Sequence, residues 1–331
     1  MKSLLNQNFD QASIELQHLI VKAVQDAPGD SILLSGGLDT SIVAAVEASL
    51  HRNPIQAFTV ILCNSPAPDL SFSKMVAERF GLPQEILKIS LEEVENALPE
   101  VIKVLRSFDP MEVRNSVVVF LGLQAAQSRG FARVLTGDAA DELFAGYSFV
   151  YTLQREMAQS TLERLWEVMH FSSIPLAKSL EIKALLPFLS DEVREYALSS
   201  VPFDFLVGKR TDDSSGQVFG KYILRKAFEA MLPKEITWRT KTPIEMGSGT
   251  TILPLIYSER IRDDEYLKKK NGYFAKDGIR IRDKEQLHYY ELFREIFGPP
   301  SSDKSRRICP ACTFNVPDTA VFCTTCGEFP I

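Results

Sequence analysis

Three groups of residues in this sequence have chemistry to offer. Ser35-Gly36-Gly37-Leu38-Asp39-Thr40-Ser41 follows the apolar run "SILL" (31–34) and opens a helical pattern. The first turn of a helix gathers unpaired N–H groups and positive partial charge, and glycine lets the backbone close on an anion. With hydroxyls from Ser35, Thr40 and Ser41, this becomes a phosphate pocket. Asp39 would repel a bare phosphate, so it points to a divalent cation shared between carboxylate and phosphate oxygens. The Gly-Lys-Ser/Thr of a γ-phosphate cradle is missing. The second group, "VLTGDAADELFAGY" (134–147), repeats the arrangement: an apolar run, a glycine, then Asp138, Asp141 and Glu142 within five residues. The third is "CPACTFNVPDTAVFCTTCG", in which Cys309, Cys312, Cys323 and Cys326 form two C-x2-C pairs ten residues apart. Each pair turns two thiolates onto one ion, and two pairs close a tetrahedral site suited to structural zinc, with iron the lesser alternative. A segment this short needs its metal to fold.

The sequence around these groups supplies the elements to position them. Strand-like runs at 31–34, 55–62, 85–90 and 132–137 alternate with helical patterns at 40–50, 70–81, 91–105 (interrupted at Pro99) and 116–130. That alternation predicts βαβ units and a parallel sheet. Ligands of such sheets bind outside the carboxyl ends of the strands, where both acidic turns fall. One metal–pyrophosphate could then serve both. From about 155 the pattern is mostly helical and is expected to pack against the open sheet edge. The first 24 residues read as an amphipathic helix and not as a signal peptide. The expected division is 1–260 for the α/β domain with its helix-rich second half, 261–297 for a helical extension, 298–307 for a linker rich in Pro, Ser and charge, and 308–331 for a zinc ribbon.

A net charge of −6 excludes a global basic field for nucleic acid, and no apolar run reaches the 18 residues of a membrane span. Four clustered cysteines beside a solitary Cys63 fit a reducing, cytoplasmic setting. Cys63, within "VILCN", reads as a buried structural residue. Lys304, Arg306 and Arg307 precede the cysteine module, but Asp303, Asp318 and Glu328 dilute them. Protein contact is favoured there over RNA.

"LLSGGLDTS" resembles the pyrophosphate loop of the PP-loop ATP pyrophosphatases (adenine nucleotide alpha hydrolase-like fold), which split ATP between the α and β phosphates. The 134–147 segment, "LLPFLSDEVREYAL" (185–198) and "GKYILRKAFEAMLPKEITWRTKTPIEMGSG" (220–249) follow in the order of the asparagine synthetase family, to which the β-lactam synthetases are related. The resemblance covers about residues 15–255. It implies that Ser35, Gly36, Gly37, Asp39, Thr40 and Ser41 hold pyrophosphate and Mg²⁺, with Asp141 as the second metal-side carboxylate. The strand at Phe58 and Val60 would lend backbone groups to adenine. Lys221 and Lys241 would face the phosphates, Lys241 stabilising the adenylation transition state. Arg114 and Ser116 would lie near the acceptor. Asp138 stands where the family carries Glu and would manage the proton of the attacking amine. Lys183 replaces the usual acid before Pro-Phe-Leu, with Glu181 two residues away, and Ser190 replaces the usual Asp after it.

The activity implied is AMP- and pyrophosphate-forming amide synthesis from a small-molecule carboxylate, by default aspartate to asparagine, with ATP and Mg²⁺ and a structural Zn²⁺. Only about 30 residues precede the loop, and residue 2 is Lys where the family's glutaminase begins with cysteine. Ammonia or another amine is therefore expected as nitrogen donor, or a separate glutaminase or other protein docked at the zinc ribbon. Two alternatives accompany this reading. One is a PP-loop enzyme that adenylates an RNA base, with the ribbon gripping RNA. The other is an ATP-binding regulatory protein with reduced catalysis.

Overall fold

The computed structural model describes residues 2–50, 53–210, 216–303 and 305–331, with the side chains of residues 2–7 and the segments 51–52, 211–215 and 304 outside the description. His51 and Lys304 are therefore outside it. The alternating segments form α1 (Lys2–Asp26), β1 (Ser31–Leu33), α2 (Leu38–Ser49), β2 (Gln56–Leu62), α3 (Asp69–Phe80), β3 (Gln84–Ile89), α4 (Leu91–Leu105), α5 (Pro110–Ser128), β4 (Arg133–Leu135) and α6 (Ala140–Leu143). A further strand, β5 (Lys183–Leu185), comes from the helix-rich half and completes a sheet of order β3-β2-β1-β4-β5. β1 runs parallel to both β2 and β4, with Ser31 opposite Gln56 and Val134, and β4 runs parallel to β5. The strand order departs in both directions from β1, so the loops after β1 and β4 flank a topological switch point.

Contacts group the chain differently from the contiguous division at 260 and 297. One unit comprises Met1–Thr59, Pro68–Leu87 and Gly122–Pro243, and the other Val60–Ala67, Lys88–Leu121 and Ile244–Ile331. In the first, Ile32, Leu34, Ile42, Val43, Val46 and Leu135 are buried together with Leu16, Ile20 and Val24 of α1. α1 also ties to the helix Tyr222–Phe228, Gln17 Nε2 donating to the Ala227 carbonyl at 2.7 Å. The helix-rich half thus adds a strand to the sheet edge as well as packing against the core.

In the second unit α4 begins with a capping box, Ser90 Oγ accepting from the Glu93 N–H while Glu93 Oε2 accepts from the Ser90 N–H. The interruption expected at Pro99 is absent. α4 runs unbroken because its buried face, Val94, Leu98, Val101 and Ile102, packs on the helix Lys284–Phe297. That burial outweighs the roughly 3 kcal/mol an interior proline costs. α5 begins at Pro110, six residues before the apolar run that marked it in the sequence, since proline at the first helical position loses no hydrogen bond. Cys63 is exposed, correcting the buried reading: β2 ends at Leu62 and the chain turns there, with Asn64 at φ 60°. No helix among the described residues is long and apolar enough to cross a membrane.

Gly36 has φ +69°, and a Cβ there would lie 2.3 Å from the Phe72 carbonyl carbon of α3. Gly36→Ala should therefore lower unfolding stability by about 2–3 kcal/mol or more, read from urea melts. A loss below about 1 kcal/mol would mean that the loop does not press on α3 as described.

Candidate functional site

The parallel pairing of β1 with β4 brings the two acidic turns side by side. Gly137 makes this possible, because a Cβ there would come within 2.9 Å of Asp39 Cβ and of the Thr40 nitrogen. Asp39 lies in the first turn of α2 and Asp141 in α6. Lys221 Nζ stands between them, 2.6 Å from Asp39 Oδ2 and 2.6 Å from Asp141 Oδ1, and Lys241 Nζ lies 2.6 Å from Asp141 Oδ2. The four predicted charged residues converge on one spot.

Their protonation follows from burial and mutual charge. Burial pushes the Asp39 carboxyl above the usual carboxylate range, with Lys221 pulling the other way and Asp141 adding to the rise. Burial also opposes ionisation of Asp141, but Lys221 and Lys241 together outweigh it and hold that carboxyl well below its ordinary value. Lys241 loses from burial and gains more from Asp141 and Asp39, so its ammonium is held charged above the ordinary lysine value.

Around the cluster, Ser35 Oγ lies 3.2 Å from Thr40 Oγ1 and accepts from the Gly37 N–H at 3.2 Å. Ser41 is buried with its hydroxyl unpartnered, and Asp39 Oδ1 is a buried acceptor with no hydrogen bond. Asp39 Oδ1 fits Mg²⁺, whose ligands are hard oxygens, and the unpartnered Ser41 hydroxyl suits a phosphate oxygen. Asp138 is the third acid: its Oδ2 accepts from Thr136 Oγ1 at 3.1 Å and from Ser173 Oγ, and burial raises its carboxyl above the usual range against both hydrogen bonds.

The other predicted residues are placed differently. Phe58 is buried edge-on to Phe131, and its carbonyl already accepts from the Leu34 N–H at 2.8 Å, so that group is spent within the sheet. Val60 lies two residues along β2, buried in the second unit. Arg114 and Ser116 are also in the second unit, inside α5 and not at its start. Arg114 Nη1 pairs with Glu285 Oε2 at 3.3 Å, Ser116 Oγ donates to Glu112 Oε1 at 3.3 Å, and burial lifts Glu285 to about 7. Ser190 caps the helix Asp191–Ser199, its hydroxyl accepting from the Val193 N–H, and Lys183 stands exposed on β5.

Two arginines that the sequence reading missed fix the lysines. Buried Arg225 donates from Nε to the Gly220 carbonyl at 2.9 Å and from Nη1 to the Arg239 carbonyl at 3.1 Å and the Thr237 carbonyl, tying together the backbones that carry Lys221 and Lys241. Arg239 lies over the Phe72 ring and donates from Nη2 to Asp69 Oδ1 at 2.6 Å and from Nη1 to the Ser35 carbonyl at 3.4 Å. An arginine within the apolar run "YILRKAF" was the available signal for Arg225. Lys221, Ala139 and Ala145 hold left-handed φ of 55°, 78° and 54° without being glycine. Such backbone costs of order 1–3 kcal/mol each and collects at working sites.

In the second unit the sulfurs of Cys309, Cys312, Cys323 and Cys326 all lie within 4.8 Å of one another, all buried. Cys309 Sγ to Cys326 Sγ is 3.8 Å and Cys312 Sγ to Cys323 Sγ is 3.6 Å. These separations are far too long for disulfides. They match the edges of a thiolate tetrahedron around zinc, about 3.8 Å for Zn–S bonds near 2.3 Å. The cluster could hold one metal ion.

Fold and site together define an α/β protein of the PP-loop ATP pyrophosphatase class. The Asparagine synthase family model matches residues 16–185 and 175–315, and the chain belongs to that family. It is 31% identical over 291 residues to the asparagine synthetase [glutamine-hydrolyzing] of Gallus gallus, which covers 82% of this chain and 49% of that protein. It is 26% identical over 292 residues to asparagine synthetase B [glutamine-hydrolyzing] of Escherichia coli (strain K12), covering 82% and 50%. The chain spans about half the length of these relatives. Among solved structures, an NMN synthetase from Francisella tularensis overlaps 89% of this chain and 98% of its own at a TM-score of 0.37 and 12% identity, too little to bear on the reading.

The two lysines should separate in their effect on stability. The Lys221 side chain is 4% exposed and serves two buried acids, whereas Lys241 is 30% exposed and serves one. Lys221→Ala should cost about 3–5 kcal/mol in chemical unfolding, and Lys241→Ala about 1 kcal/mol or less. Equal losses would show that Lys221 is not the shared counter-ion.

Proposed function

We propose that this chain uses ATP to adenylate a carboxylate, with release of pyrophosphate, and that an amine then attacks the acyl-adenylate to give an amide and AMP. The observation that carries this reading is the convergence of Asp39, Asp141, Lys221 and Lys241 beside the Ser35–Ser41 loop. Aspartate to asparagine is the default reaction, in keeping with the names of the relatives.

The loop's N–H groups and the hydroxyls of Ser35, Thr40 and Ser41 bind phosphate oxygens. Mg²⁺ held by Asp39 and Asp141 would neutralise those oxygens and align them. Lys221 keeps the two carboxylates together. Lys241, the more exposed lysine, meets the charge that grows on the departing pyrophosphate. Asp138, its Oδ2 fixed by Thr136 and Ser173, takes a proton from the attacking amine. The four cysteines hold a structural Zn²⁺, and the enzyme works in the cytoplasm.

Ammonia or another free amine is the nitrogen source. Four of the five cysteines draw together in the buried cluster, and Cys63 lies in an exposed turn. A separate glutaminase docked at the ribbon could supply ammonia in the cell. The RNA reading gains nothing from Arg307, whose Nη1 is engaged by the Asp318 and Ala320 carbonyls.

An ATP–pyrophosphate exchange screen across aspartate, other carboxylates and RNA decides among these readings. Carboxylate-dependent exchange is expected. RNA-dependent exchange, or ATP binding with no exchange, would replace the proposal with the base-modifying or the regulatory alternative. Asp39→Asn and Asp141→Asn should each cut turnover by orders of magnitude while a folded core persists, and near-normal rates in both would remove the metal assignment. At fixed total ammonium, amide synthesis should climb through mildly alkaline pH, because ammonium's pKa lies well above neutrality and only the free amine attacks. Product made by the isolated chain from glutamine alone would contradict this nitrogen source.

A further inference from the structure

The second cysteine pair does more than complete a metal site. Between Cys323 and Gly327 the chain closes on itself, the Gly327 N–H donating to the Cys323 carbonyl at 2.8 Å, and the four carbonyls of residues 324–327 follow in a row. Each is taken by a donor from elsewhere in the same unit. Ser107 Oγ donates to the Thr324 carbonyl at 2.8 Å and to that of Thr325 at 3.3 Å, and the Phe108 N–H donates to Thr325 at 2.7 Å. Gln286 Nε2 and Arg282 Nη2 reach the Cys326 carbonyl at 2.8 and 2.9 Å, and Arg282 Nη1 reaches the Gly327 carbonyl at 2.9 Å.

These donors stand at the starts of two helices. Ser107 Oγ also accepts from the Asp109 N–H at 3.2 Å, and Asp109 directly precedes Pro110, the first residue of α5. Gln286 lies in the first turn of the helix Lys284–Phe297 and adjoins Glu285, the partner of Arg114 on α5. Phe108 packs edge-on against Tyr290 and Phe293, and Phe293 against Phe314 of the cysteine segment. Glu285 thus adjoins Gln286, which grips the knuckle, and Arg114 sits on the helix whose approach Ser107 and Phe108 anchor to it.

We infer that the loaded cysteine cluster is a clamp that sets the start of α5 and, through it, the placement of Arg114 and Ser116. Without a metal, nothing covalent or coordinate holds carbonyls 324–327 in register, and residues 107–116 lose their main-chain anchor.

The test is hydrogen exchange by mass spectrometry on the full chain, loaded with zinc and after chelation confirmed by metal analysis. Exchange across 107–116 should speed up about tenfold or more, while 31–49, in β1 and α2, keeps its protection. Unchanged protection at 107–116 after metal loss overturns the clamp, and so does an equal rise at 31–49. Ser107→Ala gives a second arm. It should retain one zinc per chain and loosen 107–116 to a similar degree. Unchanged exchange at 107–116 in this variant would overturn the anchoring role of Ser107. If no acceptor supports pyrophosphate exchange, the proposed function falls, and the hydrogen-exchange arm still decides whether the clamp exists.

Discussion

Asp39 and Asp141 stand in the helical turns that follow two adjacent strands, and one lysine nitrogen lies 2.6 Å from both. Two buried carboxylates so placed repel each other and resist ionisation unless a cation is held between them. Much of the surrounding chain makes sense as the means of delivering that cation. Gly137 lets the second turn come close enough, Lys221 takes a left-handed backbone to point inward, and Arg225 fixes the segment it leaves from. The cost of burying these charges is met by packing elsewhere, in the apolar contacts of α1, α2 and the sheet. A site of this kind is specified by charge balance first and by shape second, which is why single changes in it reach stability as well as chemistry.

The second unit is organised by a different force. Its core is aromatic, with Tyr257, Tyr289, Tyr290, Phe293 and Phe108 buried almost completely, Arg114 pairs with Glu285 inside it, and His288 pairs with Glu95 where both are half-buried. A single loaded metal site would add what apolar packing lacks, a fixed backbone geometry to which distant donors can bind. Because net hydrogen bonds contribute only about 1 kcal/mol each, four carbonyls gripped in a row matter through their joint geometry more than through any one of them.

Much of this was legible in the sequence because the relevant signals are local. The Ser35–Ser41 loop, the acidic turn at 138–142 and the cysteine spacing each declare themselves within a short local stretch, and the structure brings Asp39, Asp141, Lys221 and Lys241 to one place. What escaped depended on distant partners. β5 is three residues long and has no periodicity of its own, so only its pairing with β4 reveals it. Arg225 and Arg239 read as ordinary cations until their carbonyl and carboxylate partners are known. Pro99 is a helix breaker by propensity, and only the buried face of α4 shows why it fails to break this one. Cys63 looked buried from its neighbours, yet the strand ends one residue earlier.

The structure gives physical content to two of the departures from the family pattern. Ser190, in place of an acid, spends its hydroxyl on capping a helix, so that position has been turned to structure. Asp138, one methylene shorter than glutamate, has its carboxylate held by Thr136 and Ser173. A short acid that is buried and hydrogen-bonded at one oxygen is a fixed acceptor with a raised proton affinity, and it cannot swing toward a distant amine. The phosphate-facing groups show no comparable replacement: hydroxyls, acids and lysines are all in place. A smaller or differently placed nucleophile would suit Asp138's short reach better than one that must be drawn in from farther away.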